Sequence, residues 1–296
     1  MAKILSGKEL SATMREEMRQ EITKLKEKHN IVPGLAVILV GDDPGSLSYV
    51  RNKEKACAAV GVLSRKYKFE ADYPEADLLK LIDQLNHDEE IHGILVQLPL
   101  PDHISEDKVI FAIDPEKDVD GFHPINVGKM MVGSPGFLPC TPHGIQQLLL
   151  RNDIKIEGSH VVIVGRSNIV GKPLAMILIQ KKSGANATIT ICHTRTKNLG
   201  DITKSADILV LAVGRPDSVT ADMIKQDAVV VIVGQTWIED KTKKSGHRVV
   251  GDVDFEQASA KASAITPVTG GVGPMTITML LHNTIQSAKN HAGINQ

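Results

Sequence analysis

The stretch VVIVGRSNIVGKPLA at residues 161–175 decides the fold. An aliphatic run ends at Gly165, a polar turn follows, and Gly171 begins a helical pattern with Pro173 in its first turn. Proline is favoured there because its missing N–H would have had no partner within the helix. A helix amino terminus presents free N–H groups and the positive end of its dipole, so the pattern predicts a pyrophosphate site. A strand–turn–helix junction without a ligand stays open as the alternative, since the glycines do not form GxGxxG.

Strands and helices continue to alternate on the carboxyl-terminal side of this turn. The predicted strands are HVVIVG at 160–165, ATITIC at 187–192, DILVLAVG at 207–214 and AVVVIVG at 228–234. Helices are expected to begin near Gly171, Leu199 and Ala221. This alternation is typical of a parallel sheet covered by helices, and it predicts a Rossmann-like domain over residues 140–271.

The amino-terminal part of the chain shows the same alternation of predicted strands and helices. Apolar residues from Leu10 to Leu25 recur at helical spacing, and helices are also expected at 45–60 and 75–87. The predicted strands are GLAVILVG at 34–41, VLSRKYKF at 62–69 and GILVQLPLP at 93–101. Connectors rich in proline and glycine are expected at 137–144 and 266–274, before a final helix through 275–288.

We therefore predict an α/β protein of two domains around a cleft. The first domain spans 1–139 and is completed by 272–296, because the last helix is expected to return to it; the second spans 140–271. A chain of 296 residues agrees with about two domains of ~150 residues each.

Composition narrows the class of function. The 34 Lys and Arg nearly balance the 35 Asp and Glu, so no basic field favours nucleic acid. No long apolar run or secretory leader is seen, which argues against a membrane partner. The three cysteines are far apart in sequence, which favours a reducing cytoplasm over a disulfide framework. The histidines lack metal-ligand spacing such as HExxH, so no metal site is expected.

The residues after the second strand of the 140–271 domain bear on the choice of cofactor. An NAD site would carry a carboxylate there for the ribose 2′-hydroxyl, but this chain has Thr194 and Arg195. Together with Arg166 in the glycine turn, they can bind a 2′-phosphate through charge-assisted hydrogen bonds. This favours NADP over NAD. The alternative is that both arginines are ordinary solvated residues.

A tyrosine and a lysine lie four residues apart near the amino terminus, at Tyr49 and Lys53, with Ser46 one turn earlier. On a helix these residues share a face. A lysine in a cleft can exchange protons with a substrate, although a solvated helix face is the commoner reading of YxxxK. Short-chain dehydrogenases place this motif after the dinucleotide turn, whereas here it precedes that turn, so membership of that class is excluded.

Three polar residues follow in the same predicted domain. Gln97 lies at the carboxyl end of an apolar strand, where open α/β sheets bind ligands; a purely structural amide is equally expected. Asp118 and Asp120 flank Val119 without EF-hand spacing. A solvated or capping role is expected for Asp118, whereas Asp120 is expected to bind a ligand with adjacent N–H donors.

Seven segments together resemble one family. They are YVRNKEKA, GILVQLPLP, KDVDGFHPINVGKM, PCTPHG, VGRSNIVGKPLA, GDVDF and TGGVGPMT, in this order between residues 49 and 276, and the likeness extends over roughly residues 3–290. The chain thereby resembles the bifunctional methylenetetrahydrofolate dehydrogenase/methenyltetrahydrofolate cyclohydrolase family of one-carbon metabolism, which supports purine biosynthesis. The resemblance implies NADP-dependent oxidation of 5,10-methylenetetrahydrofolate and hydrolysis of the product to 10-formyltetrahydrofolate, in one shared cleft. It also implies a cytoplasmic homodimer formed through the cofactor domains.

The resemblance also implies roles for single residues. Lys53 is expected to be the general acid/base of hydrolysis, Gln97 to tune it, Tyr49 to pack on the folate and Asp120 to hold the pterin, with Ser46 on the same substrate face. Gly273 and Pro274 are expected beside folate and nicotinamide. The residues expected around the cofactor are Gly165, Arg166, Ser167, Gly171, Thr194, Arg195 and Ile232.

Two positions depart from the family pattern. Thr269 stands where the family commonly has proline, and Ile232 stands where it commonly has aspartate. The second departure lies in a segment expected to line the nicotinamide end of the pocket. Ordinary drift is the favoured interpretation of both departures, and a changed cofactor affinity or preference is the alternative. Competing hypotheses are a shikimate-type dehydrogenase with the same two-domain plan, an NADP-responsive module without catalysis, and an enzyme that retains only one of the two activities.

Overall fold

The computed structural model describes residues 2–240, 242 and 246–294. It divides into two compact units, each with its own parallel sheet. The three-strand unit comprises Ala12–Cys140 and Ile277–Gln296, and the six-strand unit comprises Met1–Ser11 and Thr141–Thr276. The units differ from the predicted domains mainly at the amino terminus, because a short strand at Lys3–Ile4 pairs with Ala264–Ile265 and so joins the six-strand unit.

Helix α1 (Gly7–His29) begins in one unit and continues into the other. Its buried face includes Met14, Met18, Ile22 and Leu25, which confirms the predicted apolar stripe. In the three-strand unit the strands are β2 (Gly34–Val40), β3 (Leu63–Phe69) and β4 (Gly93–Val96), in the order β3-β2-β4. Its helices are α2 (Pro44–Val60), α3 (Glu75–Asn86), α4 (Glu106–Ala112) and α5 (Pro124–Val132).

The core of the three-strand unit is aliphatic. Every residue of β2 is buried, as expected for a central parallel strand covered on both faces. Side chains from β2 and β4 pack against Leu78, Ile82 and Leu85 of α3. Each Å² of apolar surface removed from water stabilises the folded state by roughly 25 cal/mol. The well-packed sheet therefore provides a rigid support for the loops at the carboxyl ends of its strands.

The six-strand unit contains the second parallel sheet. Its order is β1-β11-β8-β7-β5-β6. The strands are β1 (Lys3–Ile4), β5 (His160–Val164), β6 (Thr188–Cys192), β7 (Ile208–Leu211), β8 (Val229–Ile232) and β11 (Ala264–Ile265). The helices are α6 (Cys140–Leu150), α7 (Gly171–Leu178), α8 (Leu199–Thr203) and α9 (Phe255–Lys261). An antiparallel hairpin joins β9 (Gln235–Glu239) to β10 (His247–Gly251).

The four strands predicted in this unit are confirmed as β5, β6, β7 and β8, but three other predictions need correction. The helix expected near Ala221 is a single 3₁₀ turn, Ala221–Met223, because β8 begins only a few residues later. Both expected connectors contain helix starts, since α6 begins at Cys140 and α10 spans Val272–His291. Each has a proline at its third residue, and the first turn of a helix tolerates proline.

The carboxyl-terminal part of α10 packs within the three-strand unit, as predicted for the last helix. The Ser287 hydroxyl donates to the carbonyl oxygens of His92 and Glu116, at 2.5 and 2.8 Å. Lys289 forms an ion pair with Glu21 of α1 at 3.0 Å. These bonds fix the last helix to the amino-terminal half of the chain.

No helix in the described residues combines the length and apolar character needed to cross a membrane.

A buried histidine makes the three-strand unit sensitive to acid. Nδ1 of His92 accepts the Gly34 N–H at 3.0 Å, so the ring is held neutral. Burial, with added contributions from the nearby His291 and Lys117 and against the opposing charge of Asp88, lowers the pKa of His92 to about 4. An unfolded histidine binds its proton near pH 6.5. The unfolded state therefore binds more protons between these two values, and the folded state is destabilised as pH falls through them.

We expect His92→Asn to flatten this acid dependence. Asparagine retains an acceptor for the Gly34 N–H but does not titrate. The wild type should lose up to about 3 kcal/mol of unfolding free energy from this group between pH 6.5 and 4, and the variant should lose less. Urea denaturation at several pH values measures this difference, and parallel curves for the two proteins would contradict the assignment.

Candidate active site

Helix α2 presents the predicted Ser46–Tyr49–Lys53 face. The Asp43 carboxylate accepts the Ser46 N–H at 2.7 Å, and Pro44 occupies the first turn, so capping fixes where the helix starts. Ser46 and Lys53 are buried, whereas the Tyr49 ring is 45% exposed. An exposed ring next to a buried ammonium group leaves an aromatic surface available for a ligand.

Lys53 and Gln97 are brought together, as predicted. The Lys53 Nζ donates to Gln97 Oε1 at 2.9 Å. The Gln97 N–H donates to the Ile38 carbonyl of β2, and its side-chain Nε2 donates to the Leu98 carbonyl at 2.7 Å. Because the amide nitrogen is already engaged, the amide oxygen must face the lysine. Gln97 is thus both a satisfied structural amide and the group that orients Lys53.

Asp118 has the structural role. It is buried and accepts the backbone N–H groups of Gly121, Phe122 and His123 and the Asn126 side-chain amide, at 2.8–3.2 Å. The expected capping role fits this geometry, whereas a solvated role does not. Each of its two carboxylate oxygens accepts two hydrogen bonds, and these bonds fix the turn at residues 118–123.

Asp120 is the carboxyl group left for a ligand. Burial raises its pKa, the positive charge of Lys53 opposes that rise, and the negative charge of Asp118 adds to it. Asp118, Asp120 and Phe122 border a small pocket whose other walls are aliphatic residues of β4, of α4 and of the segments just after them. A carboxyl group close to a lysine and an apolar wall is suited to a flat ring that carries N–H donors.

Reasoning from the sequence missed Cys140. Its thiol donates to the Val119 carbonyl at 3.3 Å, and burial, together with the negative charge of the nearby Asp120, raises its pKa well above the usual value. The PCTPHG segment indicates a connector and the family resemblance, but nothing in its residue pattern places this thiol near Asp120.

The glycine turn between β5 and α7 has the predicted strand–turn–helix form. Gly165 has φ +134°, and a Cβ there would lie 2.3 Å from the Ala212 carbonyl oxygen. A Cβ on Gly171 would lie 2.1 Å from the Gly165 carbonyl oxygen. The Ser167 hydroxyl accepts the Val170 N–H at 3.1 Å. The turn is therefore so tight that only glycine fits at both positions.

The cationic residues predicted near the phosphates follow two neighbouring strands. Val164 of β5 pairs with Cys192 of β6, so the loops that carry Arg166 and Arg195 emerge side by side. Arg166, Ser167, Thr194 and Arg195 are all exposed. Within the part of the chain that the structure describes, neither arginine has an ion-pair partner. This donor set, beside a helix amino terminus, fits a phosphorylated nucleotide.

The departure at Ile232 proves to be an internal position. Its side chain is 2% exposed and belongs to the core of the six-strand unit. The carboxylate in this region is instead Asp252, fully buried, which accepts the N–H groups of Val213 and Arg215 at 2.9 and 3.0 Å. Asp252 thus shapes the loop after β7, a role that the residue pattern did not predict.

Gly273 and Pro274 lie in the first turn of α10, within the six-strand unit. A Cβ on Gly273 would meet nothing within 4 Å, so the backbone is open to a ligand there. Thr269, the other departure, is exposed just before this turn. Among the described residues, no group of three or more His, Cys, Asp or Glu side chains is arranged to hold a metal ion.

Comparisons with known proteins identify the family of this chain. The catalytic-domain model of the tetrahydrofolate dehydrogenase/cyclohydrolase family matches residues 5–120, and its NAD(P)-binding-domain model matches 139–292. A bifunctional protein FolD from Dehalococcoides mccartyi is 59% identical over 293 residues, which cover 99% of each chain.

Two solved structures are similar over nearly their whole length. The bifunctional FolD methylenetetrahydrofolate dehydrogenase/cyclohydrolase of Campylobacter jejuni has TM-score 0.92 and 49% identity, covering 98% of this chain and 99% of that one. The Trypanosoma brucei enzyme, solved with NADP and an inhibitor, has TM-score 0.93 and 37% identity, covering 98% of each. The family predicted from the sequence is confirmed: the chain belongs to the tetrahydrofolate dehydrogenase/cyclohydrolase family.

Proposed function

We propose that the protein oxidises 5,10-methylenetetrahydrofolate to the 5,10-methenyl form with NADP and hydrolyses that product to 10-formyltetrahydrofolate. One shared site serves both steps, with Lys53 as general acid/base. The observation that carries the proposal is the 2.9 Å bond from Lys53 Nζ to Gln97 Oε1, near the half-buried Asp120, whose pKa burial raises and the lysine's charge lowers. The relatives named above, at up to 59% identity, support both activities.

The six-strand unit supplies the cofactor site in this proposal. Arg166, Thr194 and Arg195 hold the 2′-phosphate, and the glycine turn holds the pyrophosphate at the start of α7. The Trypanosoma brucei relative was solved with NADP, which supports this choice. When bound, the cofactor accepts a hydride from the folate; the protein contributes the positioning of the two reactants.

The oxidation needs no proton transfer from the protein. Loss of hydride from the methylene carbon leaves a cation shared by two nitrogens, so the charge is stabilised within the substrate itself. Tyr49 packs against the folate through its exposed ring, and the Asp120 carboxylate accepts N–H donors of the pterin. These contacts orient the carbon from which the hydride leaves.

The hydrolysis does need proton transfer. Water adds to the methenyl carbon and loses a proton, which gives a neutral hydroxyl adduct. The bond from that carbon to the ring nitrogen then breaks, the nitrogen gains a proton, and the hydroxyl loses its own proton to become the formyl oxygen, so one proton is released overall. Lys53 takes up and returns these protons. The Gln97 oxygen holds the lysine in place while its charge changes, and the Leu98 carbonyl keeps Gln97 from turning away.

A spectrophotometric assay tests the proposal directly. Methylenetetrahydrofolate is mixed with the protein and NADP, and separately with NAD, while reduced cofactor and methenyl absorbance are followed. We expect reduced cofactor to form when NADP is supplied. When methenyltetrahydrofolate is added to the protein in a separate experiment, we expect its absorbance to decay as it is hydrolysed. Oxidation of shikimate in place of the folate would favour the competing dehydrogenase class, and no turnover of any substrate would favour a binding module.

Arg195→Glu should weaken NADP binding far more than NAD binding. The substitution replaces a phosphate-binding guanidinium by a carboxylate that repels the 2′-phosphate, an effect on the order of 2–4 kcal/mol or about 30–1,000-fold. Titration calorimetry with both nucleotides measures the difference, with the exposed Lys197→Glu as a charge-matched control. Unchanged NADP affinity in Arg195→Glu would remove the case for a 2′-phosphate site there.

The family assignment is also the basis for three broader parts of the proposal. The protein acts in one-carbon metabolism upstream of purine biosynthesis, in the cytoplasm. It forms a homodimer through its cofactor-binding units.

A further inference from the structure

The side chain of Asn283 joins two backbone segments next to Asp120. Asn283 lies on α10 and is 3% exposed. Its amide nitrogen donates to the Val119 carbonyl at 2.8 Å and to the Leu138 carbonyl at 3.0 Å. An amide nitrogen has two N–H groups, so both are used. One side chain late in the sequence therefore ties the residue before Asp120 to the segment that leads into α6.

The two joined segments also pack directly against each other. Gly121, the residue after Asp120, has φ +74°, and a Cβ there would lie 2.7 Å from the Leu138 carbonyl carbon and the Pro139 nitrogen. The backbone on both sides of Asp120 is thus held against residues 138–139, by hydrogen bonds on one side and by close packing on the other.

Cys140 completes the cluster. Its thiol donates to the same Val119 carbonyl at 3.3 Å, and its sulfur accepts from the Asn283 amide nitrogen at 3.8 Å. The negative charge of the nearby Asp120 adds to the burial that raises the pKa of this thiol. Asn283 thus contacts both Cys140 and the backbone beside Asp120.

Asn283 cannot be replaced easily by a residue of similar size. Aspartate has the same shape but presents oxygen atoms to two carbonyl oxygens and adds a negative charge near Asp120. Alanine leaves the Leu138 carbonyl without this donor, and buried carbonyls that lose a partner favour local rearrangement. Position 283 therefore requires a side chain that has two N–H donors and carries no charge, and asparagine meets both requirements.

We propose that Asn283 is the positioning residue for Asp120: by tying Val119 to Leu138 it holds the Asp120 carboxyl in the orientation that accepts the pterin N–H donors. The inference rests on the proposed function, because it takes Asp120 to contact the folate. Asn283 itself touches neither substrate nor cofactor in this assignment.

The test compares Asn283→Ala and Asn283→Asp with Leu281→Ala. Leu281 is fully buried two residues earlier on the same helix, so its truncation destabilises the helix packing without removing a polar link to Asp120. For each protein, kcat and KM are measured for both steps, together with the NADP KM and the thermal midpoint, at temperatures well below that midpoint.

We expect both Asn283 variants to raise the folate KM at least tenfold in both steps, with the NADP KM within twofold of wild type. The acidic limb of the kcat/KM profile should move to higher pH in Asn283→Asp, because a second negative charge opposes ionisation of Asp120. It should not move to higher pH in Asn283→Ala. A merely structural role would not separate the two variants in this way.

Two results would overturn the inference: a folate KM in both Asn283 variants within twofold of Leu281→Ala, or an acidic limb that moves equally in both. If one variant fails to fold, the other still decides on its KM. Failure of the proposed function is distinguishable, because the wild type would then show no folate turnover, or Asp120→Asn would retain wild-type folate KM.

Discussion

Lys53→Met should remove the hydrolysis of methenyltetrahydrofolate while a measurable rate of methylenetetrahydrofolate oxidation remains. Only the hydrolysis requires a group that takes up and returns protons. Loss of a positioned acid or base typically costs about 10²–10⁴-fold in rate, and methionine conserves the length and apolar stem of the lysine. The methenyl intermediate should therefore accumulate in the variant, where the wild type consumes it.

Lys55→Met is the matched control for this variant. Lys55 lies on the same helix but is exposed, so its loss should change neither step by more than a small factor. Single-turnover absorbance of the methenyl form, started once from each substrate, separates the two rates. Equal losses of oxidation and hydrolysis in Lys53→Met would mean that the lysine only shapes the site, and retention of both would end its assignment.

Gly171→Ala should have the opposite signature, loss of oxidation with retention of hydrolysis. The added Cβ would lie 2.1 Å from the Gly165 carbonyl oxygen and 2.6 Å from its carbon. Both are backbone atoms, so the turn must open rather than a side chain move aside. Overpacking of this kind costs typically 1–3 kcal/mol or more, and we expect NADP affinity to fall at least tenfold because the turn loses its phosphate-binding shape.

The control is Gly128→Ala on α5, where a Cβ would meet nothing within 4 Å. NADP binding is measured by calorimetry, and hydrolysis is started from methenyltetrahydrofolate so that it does not depend on the cofactor. Unchanged NADP affinity in Gly171→Ala would show that the pyrophosphate lies elsewhere. Together, the Lys53 and Gly171 variants should separate the two activities in opposite directions.

The parts of the fold that could be predicted are those with a regular apolar period. Strands β2, β5, β7 and β8 are buried along their whole length apart from the partly buried first residue of β5, and their aliphatic runs mark them in the sequence. The two-residue strands β1 and β11 have no such signal, because a strand of that length has no period. Pairing of Lys3 with Ala264 is a long-range contact that no local pattern encodes.

The site was predictable to a similar, limited depth. Residue types and strand ends pointed to Lys53, Gln97 and the glycine turn, and the family resemblance assigned their roles. The sequence predicted only in part that Asp118 has a structural role while Asp120 remains available to a ligand. This difference depends on four hydrogen-bond donors that meet at the Asp118 carboxylate only in the folded chain. The contacts of Cys140 and Asn283 near Asp120 could not be predicted for the same reason. A single cysteine and a helical asparagine have no sequence pattern that indicates which residues they contact in the fold.

Each compact unit is assembled from separated pieces of the chain, since the six-strand unit needs Met1–Ser11 and the three-strand unit needs Ile277–Gln296. Cleaving the gene at codon 140 would therefore yield two halves that each lack an indispensable part. During synthesis, the helix that anchors Val119 is made only after the intervening six-strand unit. The three-strand unit therefore cannot complete its packing when its first piece emerges, and residues 12–140 must stay soluble until the second piece has been synthesised.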